Sequence, residues 1–364
     1  MLHGHGGDVY SIAAELGVSP LDVLDFSSNC SPLPYPKGFH DYLCDNVDQM
    51  HLLPEVDSIT IRNKLAKRYN RHPDRFLIGS GTTQWIYALP RLLGSARAFV
   101  TYPTYADYED ACKAAGVEVV PIGIYPGGSQ QDGRRLLQDL DALKPATLEG
   151  GIVFICNPNN PTGLFLGPQD LLAIIKSKPR STVWVIDESY APFVGPDEYT
   201  SLLGHSLPEN VVILRSFSKI YGIPGLRVGG LVGSSPVLEG LVSQMRPWSV
   251  NRMAQLALEY LLDEPQFEQE VRDFCQKEKE FFVDSLSKLH GMSHVEGRCH
   301  YALFRLSGGL RAQELASELR KRGMLIRDCH NFKGLEGDYV RISPRLHPDN
   351  ERLVDEIYRL CEKT

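Results

Sequence analysis

The sequence predicts an α/β protein, with a mainly parallel, helix-covered sheet over residues 36–245 and a smaller α+β unit over 246–364. Three observations predict it. Short apolar runs (Phe76-Leu77-Ile78, Ala98–Thr101, Ile152–Ile155, Val183–Ile186 and Val211–Leu214) alternate with helical stretches from about residue 75 to 235. Most of these runs end in Gly, Asn, Asp or Ser, residues suited to the edge where such sheets place ligands. Beyond Pro247-Trp248-Ser249-Val250-Asn251 the rhythm changes to long helix followed by sparse strands.

In chain order, residues 1–35 form a loop-rich arm holding His5-Gly6-Gly7-Asp8 and Asp25-Phe26-Ser27-Ser28-Asn29-Cys30, with a short helix from Val9 to Leu16 that stops at Gly17. The arm's Gly-Gly and Asn suit a strap over a ligand site; His3 and His5, two apart, read either as a metal pair or as solvated side chains. Asp57 to Tyr69 reads as an amphipathic helix. The run Phe76–Ile78 enters Gly79-Ser80-Gly81-Thr82-Thr83-Gln84 and then a helix, an arrangement whose free backbone N–H groups suit an anion. It is not the dinucleotide fingerprint, which needs glycine where Gln84 stands.

Strand ends then follow one another. Tyr102-Pro103-Thr104-Tyr105 closes the second run, offering an aromatic that can stack on a flat ring or simply pack. Cys156-Asn157-Pro158-Asn159-Asn160-Pro161-Thr162-Gly163 closes a buried run, with Asn157 the first side chain to emerge. Asp187-Glu188-Ser189-Tyr190 closes another. A buried acid at that point needs a cationic partner, such as a pyridinium nitrogen, unless it caps the next helix. Ser216-Phe217-Ser218-Lys219 follows Val211–Leu214, and Arg227 stands eight residues on among glycines and a proline. A lysine there can form a Schiff base with an aldehyde, while two serines and an arginine hold a phosphate. Pyridoxal 5′-phosphate carries both groups.

In the C-terminal unit the long helix from Arg252 to Leu289 breaks near Pro265, and strands are expected at Tyr301–Leu306 and near Leu325 and Val340. Arg327 and Arg341 stand in two of these strands. An arginine in an apolar strand needs an anionic partner, either a ligand or an internal carboxylate such as Asp328 or Glu336.

Composition narrows the function classes. The balance of 38 basic and 45 acidic residues, net −7, with no basic run, argues against a nucleic-acid partner. No apolar stretch approaches the ~18 residues that span a bilayer, and the N-terminus lacks the pattern of a signal peptide, so a cytoplasmic protein is expected. Eight scattered cysteines without a C-x-x-C pair suggest reduced thiols, and no metal is expected.

The order N-P-x-N-P-T-G, D-E-x-Y, S-x-S-K and then arginine, read at Asn157–Gly163, Asp187–Tyr190, Ser216–Lys219 and Arg227, resembles that of the fold-type I (aspartate aminotransferase-like) PLP enzymes. Two branches are similar: the threonine-phosphate decarboxylases of cobalamin synthesis and the histidinol-phosphate aminotransferases. The decarboxylase branch matches more of the sequence, at His5–Asp8, Val23–Asn29, Tyr221–Arg227, Pro247–Asn251 and Leu325–Leu335. Pro103-Thr104-Tyr105 and Tyr190 look more like the aminotransferases, and Leu53 stands where relatives of both branches often carry a tyrosine that reaches a neighbouring subunit's cofactor phosphate.

The resemblance implies the fold-type I transferase fold, PLP as cofactor and a homodimer. It implies that Lys219 holds the cofactor covalently, that Asp187 keeps its ring nitrogen protonated, and that Asn157 and Tyr190 bond its phenolic oxygen. Tyr105 would stack on the ring, and Gly81, Thr82, Ser216, Ser218 and Arg227 would hold the phosphate. Arg341, with Asn157 nearby, would take the substrate's α-carboxylate, and Arg327 with His5, Gly6 and Asn29 its phosphate. The implied reaction is decarboxylation of O-phospho-L-threonine to (R)-1-amino-2-propanol O-2-phosphate and CO₂, with O-phospho-L-serine decarboxylation or histidinol-phosphate transamination as alternatives.

Overall fold

The computed structural model describes residues 6–362. Seven strands form the large sheet: β1 (Phe76–Gly79), β2 (Arg97–Tyr102), β3 (Glu118–Ile124), β4 (Ile152–Cys156), β5 (Val183–Asp187), β6 (Val211–Ser216) and β7 (Gly229–Val232). Their order is β1-β7-β6-β5-β4-β2-β3. Strands β2 to β6 run parallel, and β7 lies antiparallel to both of its neighbours.

Alternate side chains of each strand enter opposite cores, which is why these runs are apolar throughout rather than alternating. Phe154, Val185 and Val212 pack with Trp85, Leu89 and Tyr108 on one face. Val153, Trp184, Ile186 and Ile213 pack with Ile61, Leu136, Leu171 and Leu258 on the other. The helix Arg252–Leu261 belongs to this second core, and the helix Pro265–Leu286 runs from it into the smaller one.

The small unit has a four-stranded antiparallel sheet of β8 (Met292–Val295), β9 (Ala302–Leu306), β10 (Arg327–Asp328) and β11 (Asp338–Ile342), in the order β10-β11-β9-β8. The arm is stitched to it: Leu24–Asp25 pairs in parallel with Met324–Leu325, and Phe26 is buried in the same core as Phe304 and Val340. The segment that follows, Ser27–Asn29, is thereby brought to the carboxyl edge of the large sheet, where the two units meet. All eight cysteines are unpaired, and among the described residues no helix is long and apolar enough to cross a membrane.

Candidate active site

Two adjoining cavities open at this edge. The inner one, 130 Å³, is lined by Gly81, Thr82, Tyr105, Tyr108, Asn160, Asp187, Tyr190, Ser216, Ser218, Lys219 and Arg227 among others. The outer one, 460 Å³, shares Tyr105, Asn160, Tyr190 and Lys219 with it and is completed by Gly6, Ser27–Asn29, Arg327, Asn331–Lys333 and Arg341. Lys219 thus faces both.

The inner cavity follows from strand termini. Asp187 ends β5 and is 4% exposed. Its carboxylate accepts from Tyr108 Oη at 2.8 Å and from the Ser189 N–H at 2.9 Å. Burial pushes the Asp187 carboxyl up, opposed by those two bonds and by the Lys219 charge, so an added cation would complete its pairing. Tyr108 stands on α2 (Asp107–Ala114), one turn beyond Tyr105, and the two rings meet edge to face at 5.8 Å. Gly81 precedes α1 (Thr82–Leu93) with φ +81, and a Cβ on it would lie 2.6 Å from Arg227 Nη2. The glycine therefore lets the guanidinium, the first N–H groups of α1 and the hydroxyls of Ser216 and Ser218 converge on one cradle.

The outer cavity is walled by the arm and the small sheet. Arg327 and Arg341 are direct cross-strand partners of β10 and β11. Arg341 is 4% exposed; it donates to the Ser27 carbonyl at 2.7 Å and to Asn160 Oδ1, both neutral oxygens. Arg327 donates to the Asp328 carbonyl and to Asn331 Oδ1, each at 2.7 Å, and lies 5.0 Å over the Phe332 ring. Burial holds Arg327 below the usual guanidinium range, and the Arg341 charge adds to this. Asn29 donates to Tyr190 Oη at 3.2 Å and accepts from Ser343 Oγ at 2.5 Å, tying the arm to both units.

Of the residues singled out from the sequence, His5 lies outside the described residues. Asn157 is not brought to either cavity: its side chain spans the backbone of Leu166, donating to the carbonyl at 3.0 Å and accepting from the N–H at 2.7 Å. Asn160, three residues on, lines both cavities instead. With three asparagines in one turn, spacing alone does not say which side chain faces in and which closes the loop. Asn160, Tyr108 and Ser189 were missed; the helical step from Tyr105 to Tyr108 was a signal for the second.

The sequence profile of Aminotransferase class I and II matches residues 45–357, and the chain belongs to that family. It is 32% identical over 354 residues to the threonine-phosphate decarboxylase of Salmonella typhimurium, covering 96% of this chain and 94% of the relative. It is also 32% identical, over 356 residues, to the histidinol-phosphate aminotransferase of Symbiobacterium thermophilum, covering 97% and 94%. The crystal structure of L-threonine-O-3-phosphate decarboxylase from Porphyromonas gingivalis superposes with a TM-score of 0.82 at 28% identity, over 93% of this chain and 100% of that one. The family's cofactor is pyridoxal 5′-phosphate. The inner cavity fits it: a buried carboxylate short of a cation suits the pyridinium, the glycine-relieved cradle suits the phosphate, and Lys219 lines the same cavity.

Proposed function

We propose that the protein is a PLP-dependent decarboxylase of O-phospho-L-threonine, releasing CO₂ and (R)-1-amino-2-propanol O-2-phosphate for the nucleotide loop of cobalamin. The observation that carries the substrate class is the facing pair Arg327 and Arg341. Like charges directly opposite on a sheet repel, and a substrate with two anions relieves that repulsion at both ends. The named decarboxylase relatives, in sequence and in structure, favour loss of CO₂.

Arg341 holds the α-carboxylate from a buried site, its Ser27 and Asn160 bonds fixing the guanidinium plane. Arg327 and Asn29 hold the phosphate, so the substrate is anchored at both ends and its Cα–carboxylate bond is given one orientation. Bound PLP supplies the electron sink for the pair left on Cα when CO₂ departs. Lys219 Nζ, which lines both cavities, delivers the proton that replaces CO₂ at Cα. The buried Arg341–Asn160 and Asn29–Tyr190 contacts keep bulk water from the carboxylate.

Transamination of histidinol phosphate is the second reading, favoured by the equal identity to an aminotransferase and by Tyr105 and Tyr190. Incubation with phosphothreonine, phosphoserine and histidinol phosphate, each with and without 2-oxoglutarate, separates them. CO₂ without a keto acid supports the proposal; glutamate formed from 2-oxoglutarate overturns it. Phosphoserine differs by one methyl, worth about 1–3 kcal/mol in a pocket, and the ratio of kcat/KM values ranks the two amino acids. For the homodimer expected of this family, the exposed Met50, Leu52, Leu53 and Trp248 offer an apolar face, and solution mass tests it.

A further inference from the structure

The outer cavity does not end at Arg327. Its wall continues over a short loop, residues 329–335, onto Tyr102 at the end of β2 and Glu109 and Lys113 on α2. Gly334, with φ +85, seats that loop: a Cβ there would stand 3.1 Å from Tyr102 Cβ and 3.3 Å from Ile124. The loop therefore presses flat on the large unit, and the residue before the glycine, Lys333, is delivered to the cavity. Phe332, next to it, supports the Arg327 guanidinium over its ring. Two cations thus face the same space, Arg327 from β10 and Lys333 from the loop that follows it.

Lys333 is held loosely. Its Nζ lies 3.3 Å and 3.5 Å from the two Glu109 oxygens, 3.3 Å from Tyr102 Oη and 4.4 Å from the centre of the Tyr102 ring. Glu109 has tighter partners of its own, Tyr102 Oη at 2.5 Å and Lys113 Nζ at 2.8 Å. Burial pushes the Glu109 carboxyl up, but Lys113, Tyr102 and Lys333 together bring it down to about 2. If Lys333 swings away, Glu109 keeps two of its three partners, so no charge is stranded. A phosphate monoester carries close to two negative charges at neutral pH, whereas Arg327 supplies one positive charge and Arg341 is committed to the other end.

We propose that Lys333 leaves Glu109 on substrate binding and supplies the second positive charge to the substrate's phosphate, making it a specificity-determining residue beside Arg327. This rests on the reading of the substrate as a phosphorylated amine. The test uses the full-length holoenzyme with O-phospho-L-threonine as substrate and inorganic phosphate as a competing probe. Lys333→Met raises KM and the inhibition constant of inorganic phosphate by the same factor, about five- to tenfold for a partly exposed charge-assisted contact, while kcat stays within about twofold. Lys333→Arg restores both. The visible absorbance of bound PLP is equal in all three proteins, which shows that the cofactor site is intact. Unchanged KM in Lys333→Met, a fall in kcat with KM unmoved, or an arginine variant that behaves like the methionine one overturns the inference. A wild-type enzyme that spares phosphothreonine but transaminates histidinol phosphate overturns the decarboxylase reading alone. The same comparison is then read with histidinol phosphate, which bears the same monoester.

Discussion

The floor and the wall of the cavity are built in opposite ways. The floor is made of strand ends of one sheet and the turn that follows β6: Asp187, Ser216 and Ser218 are each 5% exposed or less, and the Ser189 N–H and the Tyr108 hydroxyl hold the acid in place before any ligand arrives. The wall is assembled from three separate pieces of chain, the arm, β10 with β11, and the loop over Tyr102, joined by side-chain bonds such as Asn29 to Tyr190 and Arg341 to Ser27. A preorganised floor suits a cofactor that stays; a wall of separate pieces suits a substrate that must enter and leave. Changes in the floor should therefore abolish chemistry and colour together, and changes in the wall should spare the colour.

The sharpest break is Lys219→Ala. In the proposed role Lys219 is both covalent anchor and proton donor, so its removal should lower kcat by roughly 10⁴-fold or more and remove the long-wavelength absorbance seen when PLP is added. A variant that turns over at the parental rate ends the whole account. In the wall, Arg341→Met should lower kcat/KM by roughly 10²–10³-fold, because it strands a desolvated carboxylate. Arg327→Met, whose partner is nearer solvent, should act mainly on KM, by about ten- to a hundredfold. Both should keep the cofactor's absorbance. If either bleaches the enzyme, floor and wall are not separable.

How much of this could be read from the sequence divides along the same line. The floor was legible because a parallel sheet sends each buried run to the same edge, so Asp187, Ser216, Ser218 and Lys219 could be placed together from local patterns alone. The two arginines of the wall stood out as charges in apolar strands. Their facing register did not, because cross-strand pairing depends on which strands meet and how. Nor was the role of the loop over Tyr102 visible, since it rests on a contact between residues 102 and 334 with no local signature. Asn157 and Asn160 show the limit within a single turn. Asn160→Ala should lower kcat/KM by about tenfold with little change in melting temperature. Asn157→Ala, which leaves the Leu166 N–H and carbonyl unpaired in a buried site, should instead destabilise the fold by about 1–3 kcal/mol. The reverse pattern would return Asn157 to the site.

The smallest expected effect lies beneath the floor. Glu188, adjacent to Asp187 and fully buried, faces Arg215 at 3.3 Å and takes the Leu202 N–H at 2.8 Å. Burial pushes its carboxyl up to about 7, more than Arg215 and the hydrogen bonds from Ser201 and Leu202 can offset, and Asp197, which shares Arg215 at 2.9 Å, adds to the rise. An unfolded glutamate titrates near ~4.3. Between these values the folded chain keeps a proton that the unfolded chain has released, so the contribution to stability is full below ~4.3 and declines as pH rises through about 7. Glu188→Gln cannot ionise and lacks this slope. Its melting temperature should lie below the parent's at pH 5, and the gap should narrow by about 2–4 °C by pH 8. A gap that widens with pH would mean that the ionised Glu188–Arg215 pair is net stabilising, and that the floor is held up by charge rather than by a neutral, hydrogen-bonded acid.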